Sequence, residues 1–347
     1  MDMKSGHKVK GPPRKEDLIV ITGAGGFIGG SLARYFHDAG FKRIRAIDRK
    51  PLDEWYQVVT EAENLSMDLS EKENCIRAAD GAAEVYNLAA DMGGIGFIEH
   101  YRVECLRSIL INTHMIEAAY RAKVQRYFYS SSACAYNIDL QKGTANRALK
   151  ESDAYPAMAE RGYGWEKLIS EMFCQEYHVE RGMMTFIARF HNVYGPNGTW
   201  DGGREKAPAA ICRKVIEAKD KGLKTIDIWG TGEQTRSFMY IDDCLKGIDD
   251  IMHCEKLMAT PINLGTSELV SINDLVTMVE KIGGIKLERK YDPKAPSGVG
   301  GRNSDNTMIK AILGWEPDTP LAEGLKPTYR WIEQQYMSRK AGKKTVL

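Results

Sequence analysis

The stretch LIVITGAGGFIG (Leu18–Gly29) decides the fold. Leu18–Thr22 is a short apolar, β-branched run that reads as a buried strand. Gly23, Gly26 and Gly29 follow within a few residues, and Phe27–Ala39 then continues at helical spacing. Strand, glycine turn and helix in this order make the first βα unit of a dinucleotide-binding sheet. The small residues permit the tight turn and let a pyrophosphate approach the backbone. The helix opening at Phe27 and Ile28 directs N–H groups and its positive dipole end at that anion.

Working outward, strand-like runs recur at Arg43–Asp48, Asn64–Met67, Glu84–Ala89, Arg126–Ser131 and Met183–Phe190. Helical patterns separate them at Glu71–Ala79, Val103–Ala122 and Tyr163–Arg181. This alternation predicts an α/β fold, a Rossmann-like doubly wound parallel sheet with helices on both faces. Beyond residue 190 the pattern loosens into a smaller mixed α/β C-terminal lobe. It carries a helix from Ala207, a strand Thr225–Trp229, a helix Asp242–Met252, a strand Pro261–Leu264 and a final helix Leu321–Tyr336. Ser271 with Asp274 reads as a capping box opening one more helix. Met92–Gly96 reads as a flexible loop able to close over a ligand, or equally as an ordinary tight connection.

Asp48 ends the second strand, where a carboxylate accepts from ribose hydroxyls and disfavours a 2′-phosphate. NAD is therefore preferred to NADP, although Arg49 and Lys50 beside it argue the other way. Asp68 and Leu69, after the third strand, are placed at the adenine edge. Tyr163 and Lys167, four apart in Y-G-W-E-K, share one helix face. The Lys167 ammonium is expected to favour ionisation of the Tyr163 phenol, making it a base for a hydroxyl. Ser130–Ser132 ends the fifth strand, at the edge where open α/β sheets bind ligands.

Composition sets the outer limits. The 347 residues are 43% hydrophobic and 27% charged with net charge +1, so no broad nucleic-acid-binding face is implied. No run approaches membrane-spanning length. Seven cysteines in irregular spacing, with no C-x-x-C, suggest neither zinc nor a disulfide framework. A reducing cytoplasm is the expected setting and no metal is expected. The polar, basic start lacks a secretion signal's apolar core.

The ordered set Gly23–Gly29, Ser132, Tyr163 and Lys167, with Asn112, RFHNVYGP (Arg189–Pro196) and RSFMYIDD (Arg236–Asp243), resembles the extended short-chain dehydrogenase/reductase family. Members of that family rework nucleotide sugars. The resemblance spans about residues 17 to 340. It implies Ser132, Tyr163 and Lys167 as redox residues and Asn192 at the nucleotide diphosphate. The implied division is a flexible leader at 1–16, an NAD-binding domain at 17–190 and a sugar-nucleotide lobe at 191–347, interleaved with the first.

Within that family, ADMGGIGFI (Ala90–Ile98), SSACAY (Ser131–Tyr136), GGREKAPAA (Gly202–Ala210), GEQTRSF (Gly232–Phe238) and GRNSDN (Gly301–Asn306) resemble the GDP-mannose 3,5-epimerase group. That likeness implies GDP-mannose as substrate, Cys134 and Lys206 as the acid–base pair, and a homodimer. It also places Gly93, Ser132, Ala133, Asn192, Glu205, Ala207, Lys214, Gln234, Arg236 and Arg302 around the sugar nucleotide. Two departures stand out: Asn137 follows Tyr136 where the plant-type pattern has proline, and Ile138–Arg161 matches poorly.

Chemistry supports the pair. A ketone at C4 of a hexose acidifies the C3 and C5 hydrogens, and inversion needs a base on one face and an acid on the other. A 4,6-dehydratase would need an acidic residue where Ala133 and Cys134 stand. A simple 4-epimerase would leave Cys134 and Lys206 without a task. A cofactor-sensing binding protein would not need the complete Ser132, Tyr163 and Lys167 set.

Overall fold

The computed structural model describes residues 11, 13–145, 147–343 and 345, so most of the expected leader lies outside the described residues. The first half runs β1 (Ile19–Thr22), α1 (Phe27–Asp38), β2 (Ile44–Asp48), β3 (Glu63–Ser66), α2 (Lys72–Ala79), β4 (Glu84–Asn87), α3 (Ile95–His100), α4 (Arg102–Arg121), β5 (Arg126–Ser132), α5 (Tyr163–Arg181) and β6 (Met184–Phe190). The second runs β7 (Asn192–Tyr194), α6 (Ala207–Lys221), β8 (Thr225–Trp229), β9 (Thr235–Arg236), β10 (Phe238–Tyr240), α7 (Ile241–Met252), β11 (Pro261–Leu264), β12 (Val270–Ser271), α8 (Ile272–Gly283), β13 (Glu288–Asp292), β14 (Gly301–Arg302), α9 (Thr307–Leu313) and α10 (Leu321–Lys340).

Seven strands form one parallel sheet in the order β11-β6-β5-β4-β1-β2-β3. The Rossmann-like expectation is met. β11 comes from the far half of the chain yet completes the sheet beside β6, so the two halves interleave. Strands such as β1 are buried along their whole length, which explains why they read as continuous apolar runs. One apolar layer, including Leu32, Phe36, Phe128 and Ile248, covers one face of the sheet. A second, including Val20, Val85, Met115 and Ile187, covers the other. A third, around Trp200, Val215, Leu275 and Leu325, is the core under α6, α8 and α10.

Strand order reverses between β1 and β4, which opens a crevice at their carboxyl ends. Thr22 ties that point together. Its hydroxyl donates to Asn87 Oδ1 (2.7 Å) and accepts from the Leu88 and Ala89 amides (3.1 Å each). Asn87 in turn donates to Asn112 Oδ1 (3.0 Å) on α4, and Asn112 donates to Ser170 (2.9 Å) on α5. This buried polar chain fixes α5, and Tyr163 with it, against the sheet. Burial of unpaired amides is costly, so such a network is specific once it closes.

Of the two readings of Met92–Gly96, the structure shows the tight connection. Helix α3 starts at Ile95, and the turn before it is clasped to residues 204–205. Gly94 donates its amide to Arg204 O (2.9 Å), Arg204 pairs with Asp91 (2.9 Å), and its guanidinium lies 3.9 Å above the Phe97 ring. Short strands β7, β9, β10, β12 and β14 carry no legible period because two or three residues are too few to show one.

Candidate active site

At the switch point the glycine loop presents a helix end without a side-chain cap. The first N–H groups of α1 have no intrahelical partner, as at any helix start. A Cβ on Gly29 would collide with the Gly23 carbonyl oxygen, so only glycine lets α1 approach the turn this closely. Asp48 faces the loop and accepts from the Gly25 (3.0 Å) and Lys50 (3.0 Å) amides. Arg49 pairs with Asp91 (3.0 Å), and the Lys50 ammonium sits 4.7 Å above the Tyr56 ring. The neighbouring cations are thus engaged elsewhere. Together these residues fit a dinucleotide with free ribose hydroxyls. Asp68 accepts from the Ser70 amide (2.9 Å) and is exposed, while the Leu69 side chain is buried in the core.

β5 ends at Ser132, and a single tight turn over Ala133–Ala135 follows. Ser132 Oγ caps that turn by accepting from the Cys134 amide (3.2 Å). A Cβ on Gly164 would strike the Cys134 carbonyl, so the glycine after Tyr163 is what allows α5 to pack on this turn. Ser132, Cys134 and Tyr163 therefore converge although they lie in separate segments. They line one cavity of about 620 Å³.

Every residue the sequence assigned to the sugar nucleotide lines that cavity: Gly93, Ser132, Ala133, Cys134, Asn192, Glu205, Lys206, Ala207, Lys214, Gln234, Arg236 and Arg302. Several are already positioned by the chain. Asn192 donates to Ser237 O (3.2 Å), Lys214 to Asp227 O (2.7 Å), and Gln234 to Trp229 O (2.7 Å). Glu205 accepts from the Gly203 amide (2.7 Å) and from Arg213 (3.0 Å), which shapes the loop carrying Lys206. Lys167 lies outside the lining, under Tyr163, and donates to Ser130 O (3.0 Å).

Electrostatics refine the expectation for the pair. Burial first, then the Cys134 and Glu166 charges, push the Tyr163 phenol well above its ordinary value, with the Ser132 hydrogen bond pulling the other way. Lys167 sits 5.4 Å from the Tyr163 ring centroid, and burial lowers its own pKa. Burial is the largest influence on both groups.

Cys134 is buried and Lys206 half-buried, and the Cys134 charge acts on the Lys206 ammonium. Burial, then the Glu160 carboxylate, raises the thiol, while Arg302 and Ser132 oppose this. Burial lowers the Lys206 ammonium. Lys206 is also the N-cap of α6, where the helix dipole disfavours a cation. Such a lysine parts with its proton readily and suits acid–base work.

The two arginines differ. Each nitrogen of the Arg302 guanidinium has a partner: Nε donates to Gln141 (2.6 Å), Nη2 pairs with Glu160, and Nη1 donates to Cys134 Sγ (3.4 Å). Among the described residues Arg236 donates only to the carbonyls of Thr235 (2.7 Å) and Ser297 (3.0 Å). Burial and then Arg302 lower its pKa to about 10. A half-buried guanidinium under that stress fits an anion. Glu160 and Gln141 escaped the sequence reading because both lie in the poorly matched Ile138–Arg161 segment.

The fold thus carries a glycine-loop crevice at the switch point and a cavity lined by Ser132, Tyr163, the Cys134 thiol and the Lys206 amine. Residues 19–265 match the NAD dependent epimerase/dehydratase family, and the chain belongs to that family. It is 44% identical over 330 residues to a GDP-mannose 3,5-epimerase of Arabidopsis thaliana, covering 95% of this chain and 85% of that protein. It is 43% identical over 329 residues to GDP-mannose 3,5-epimerase 1 of Oryza sativa subsp. japonica, covering 94% and 85%. A crystal structure of UDP-glucose 4-epimerase from Thermotoga maritima shares the fold, with TM-score 0.81 at 22% identity over 92% of this chain and 99% of that one. The chain is an NAD-dependent epimerase, an isomerase of nucleotide sugars.

Proposed function

We propose that the chain is a GDP-mannose 3,5-epimerase, converting GDP-D-mannose to GDP-L-galactose, with GDP-L-gulose formed by C5 inversion alone. The observation that carries this reading is the meeting of Cys134 and Lys206 in the cavity that Tyr163 and Ser132 also line. Likeness to the plant epimerases supports the substrate.

In the proposed reaction Ser132 holds the C4 hydroxyl and Tyr163 takes its proton, with Lys167 beneath the phenol. NAD, when bound, supplies the hydride acceptor and, in its oxidised form, a positive charge that favours the phenolate. With C4 a ketone, Cys134 removes the C5 proton and Lys206 delivers one to the opposite face. The same pair serves C3, a ring flip between the two events bringing each substituent into line. Tyr163 returns its proton as C4 is reduced again. The glycine loop, Asp48, Asp68 and Leu69 are assigned to the cofactor, and residues 17–190 and 191–347 to the two ligands. Arg236 and Arg302 are both candidates for the diphosphate, and Arg236 is preferred because Arg302 is engaged by Glu160, Gln141 and Cys134.

The test is GDP-mannose in heavy water, read by NMR. Deuterium at both C3 and C5 is expected. Inversion at C4 without label, or loss of the C6 hydroxyl, would replace this reading with a 4-epimerase or a 4,6-dehydratase. Arg236→Ala is expected to raise KM for GDP-mannose by about 10- to 100-fold, the loss of one charge-assisted hydrogen-bond set, with a smaller change in kcat. An unchanged KM would move the diphosphate elsewhere.

We also infer a homodimer through α4 and α5. Val103 and Val179 are 68% and 74% exposed, and Leu106, Leu110, Met172 and Phe173 are exposed beside them on these two helices. Apolar residues crowded on an outer face mark an interaction surface. Sedimentation of the wild type should give twice the monomer mass, and Val103→Glu with Phe173→Glu should halve it; a monomeric wild type refutes the assignment. Among the described residues no helix is long and apolar enough to cross a membrane. Residence in the cytoplasm is part of the proposal, supported by seven free cysteines.

A further inference from the structure

The segment before Tyr163 does more than lead into α5. Glu160 donates its amide to the Cys134 carbonyl (3.0 Å), strapping this segment to the turn that carries the thiol. Its carboxylate pairs with Arg302 Nη2. The same guanidinium gives Nη1 to Cys134 Sγ (3.4 Å) and Nε to Gln141 (2.6 Å). Arg302 is thus one cation shared between a carboxylate and a sulfur, held in plane by an amide. A guanidinium has a rigid fork, so fixing two of its nitrogens fixes the third.

We infer that Glu160 is a positioning residue for the proposed base: it holds Arg302 between its carboxylate and the Cys134 sulfur and so governs how readily that thiol gives up its proton. The inference rests on the reading of Cys134 as the base that deprotonates the sugar. Two opposed effects meet at the sulfur. The Arg302 cation favours the thiolate, and the Glu160 anion disfavours it. With both present the two charges oppose each other, and burial holds the thiol above its ordinary value. Other groups face this cluster as well: Tyr163 and Lys167 on α5, Cys105 on α4, Lys206 at the start of α6 and Arg236 on β9. None of them stands between Arg302 and the sulfur, whereas the Glu160 carboxylate binds the same guanidinium directly.

Removing the negative charge while keeping the shape isolates the effect. In Glu160→Gln, Arg302 remains hydrogen-bonded but uncompensated, so the thiolate forms at lower pH. In the NAD-loaded enzyme, alkylation of Cys134 by iodoacetamide, followed by mass spectrometry, should be about tenfold faster at neutral pH. The acid limb of the pH profile for C5 deuterium exchange should move down by about one unit. Glu160→Asp, which keeps the charge, should return both profiles toward the wild type. A purely structural role would lower rates without moving either midpoint. Unmoved midpoints in Glu160→Gln overturn the inference, as does an Asp variant that behaves like Gln. If Glu160→Gln does not fold, Glu160→Ala removes the same charge and is judged by the same midpoints. The parent reading fails separately: Cys134→Ser exchanging at the wild-type rate would sink it whatever Glu160 does.

Discussion

Cys134→Ser is expected to suppress deuterium entry at C5 and C3 by about 10²–10⁴-fold, the range for losing a positioned general base. A serine hydroxyl is far less acidic than a thiol and cannot ionise in a pocket where even Cys134 is pushed up by burial. NAD binding should be unchanged, because the glycine loop and Asp48 lie at the switch point rather than on the Cys134 turn. Oxidation at C4 should also survive, since Ser132 and Tyr163 remain. The variant should therefore hold reduced cofactor and ketone without inverting the sugar. Mixing it with GDP-mannose and following nicotinamide absorbance together with NMR separates these steps. Wild-type exchange in this variant would remove Cys134 from the chemistry.

Tyr163→Phe should fail one step earlier. Without the phenol no group takes the C4 proton, and the ketone that acidifies C3 and C5 does not form. A loss of about 10²–10⁴-fold is expected both in cofactor reduction and in solvent exchange. The two variants thus differ in kind: Cys134→Ser reduces its cofactor without exchange, and Tyr163→Phe does neither. Substrate affinity should persist, because Arg236, Asn192 and Gln234 are untouched. Exchange without cofactor reduction in Tyr163→Phe would mean that the C–H bonds are loosened by something other than a C4 ketone. The prediction concerns the loaded site, because burial places the phenol well above its ordinary value in the protein alone.

Much of the architecture was readable in advance because parallel strands buried on both faces leave continuous apolar runs. β1, β2, β4, β5, β6 and β11 fall within a residue or two of their expected limits. The two- and three-residue strands around the cavity had no period to read. The glycines before helix α3 suit a mobile loop and a tight turn alike, and the choice is made by Arg204, which clasps that turn from more than a hundred residues away.

The site divides in the same way. Local order carried the glycine loop, the Tyr163–Lys167 spacing and the serine at the end of β5, since each depends on residues adjacent on one strand or helix. The twelve residues that the resemblance places around the sugar nucleotide all line one cavity. Protonation and partnership were invisible along the chain. Whether Arg302 meets a phosphate or a thiol depends on Glu160 and Gln141, which reach it across a fold that brings positions 134, 141, 160 and 302 together. A pattern of residues can say which groups are present. Only the packed interior, by withholding water and fixing neighbours within a few ångströms, sets which of them carry charge.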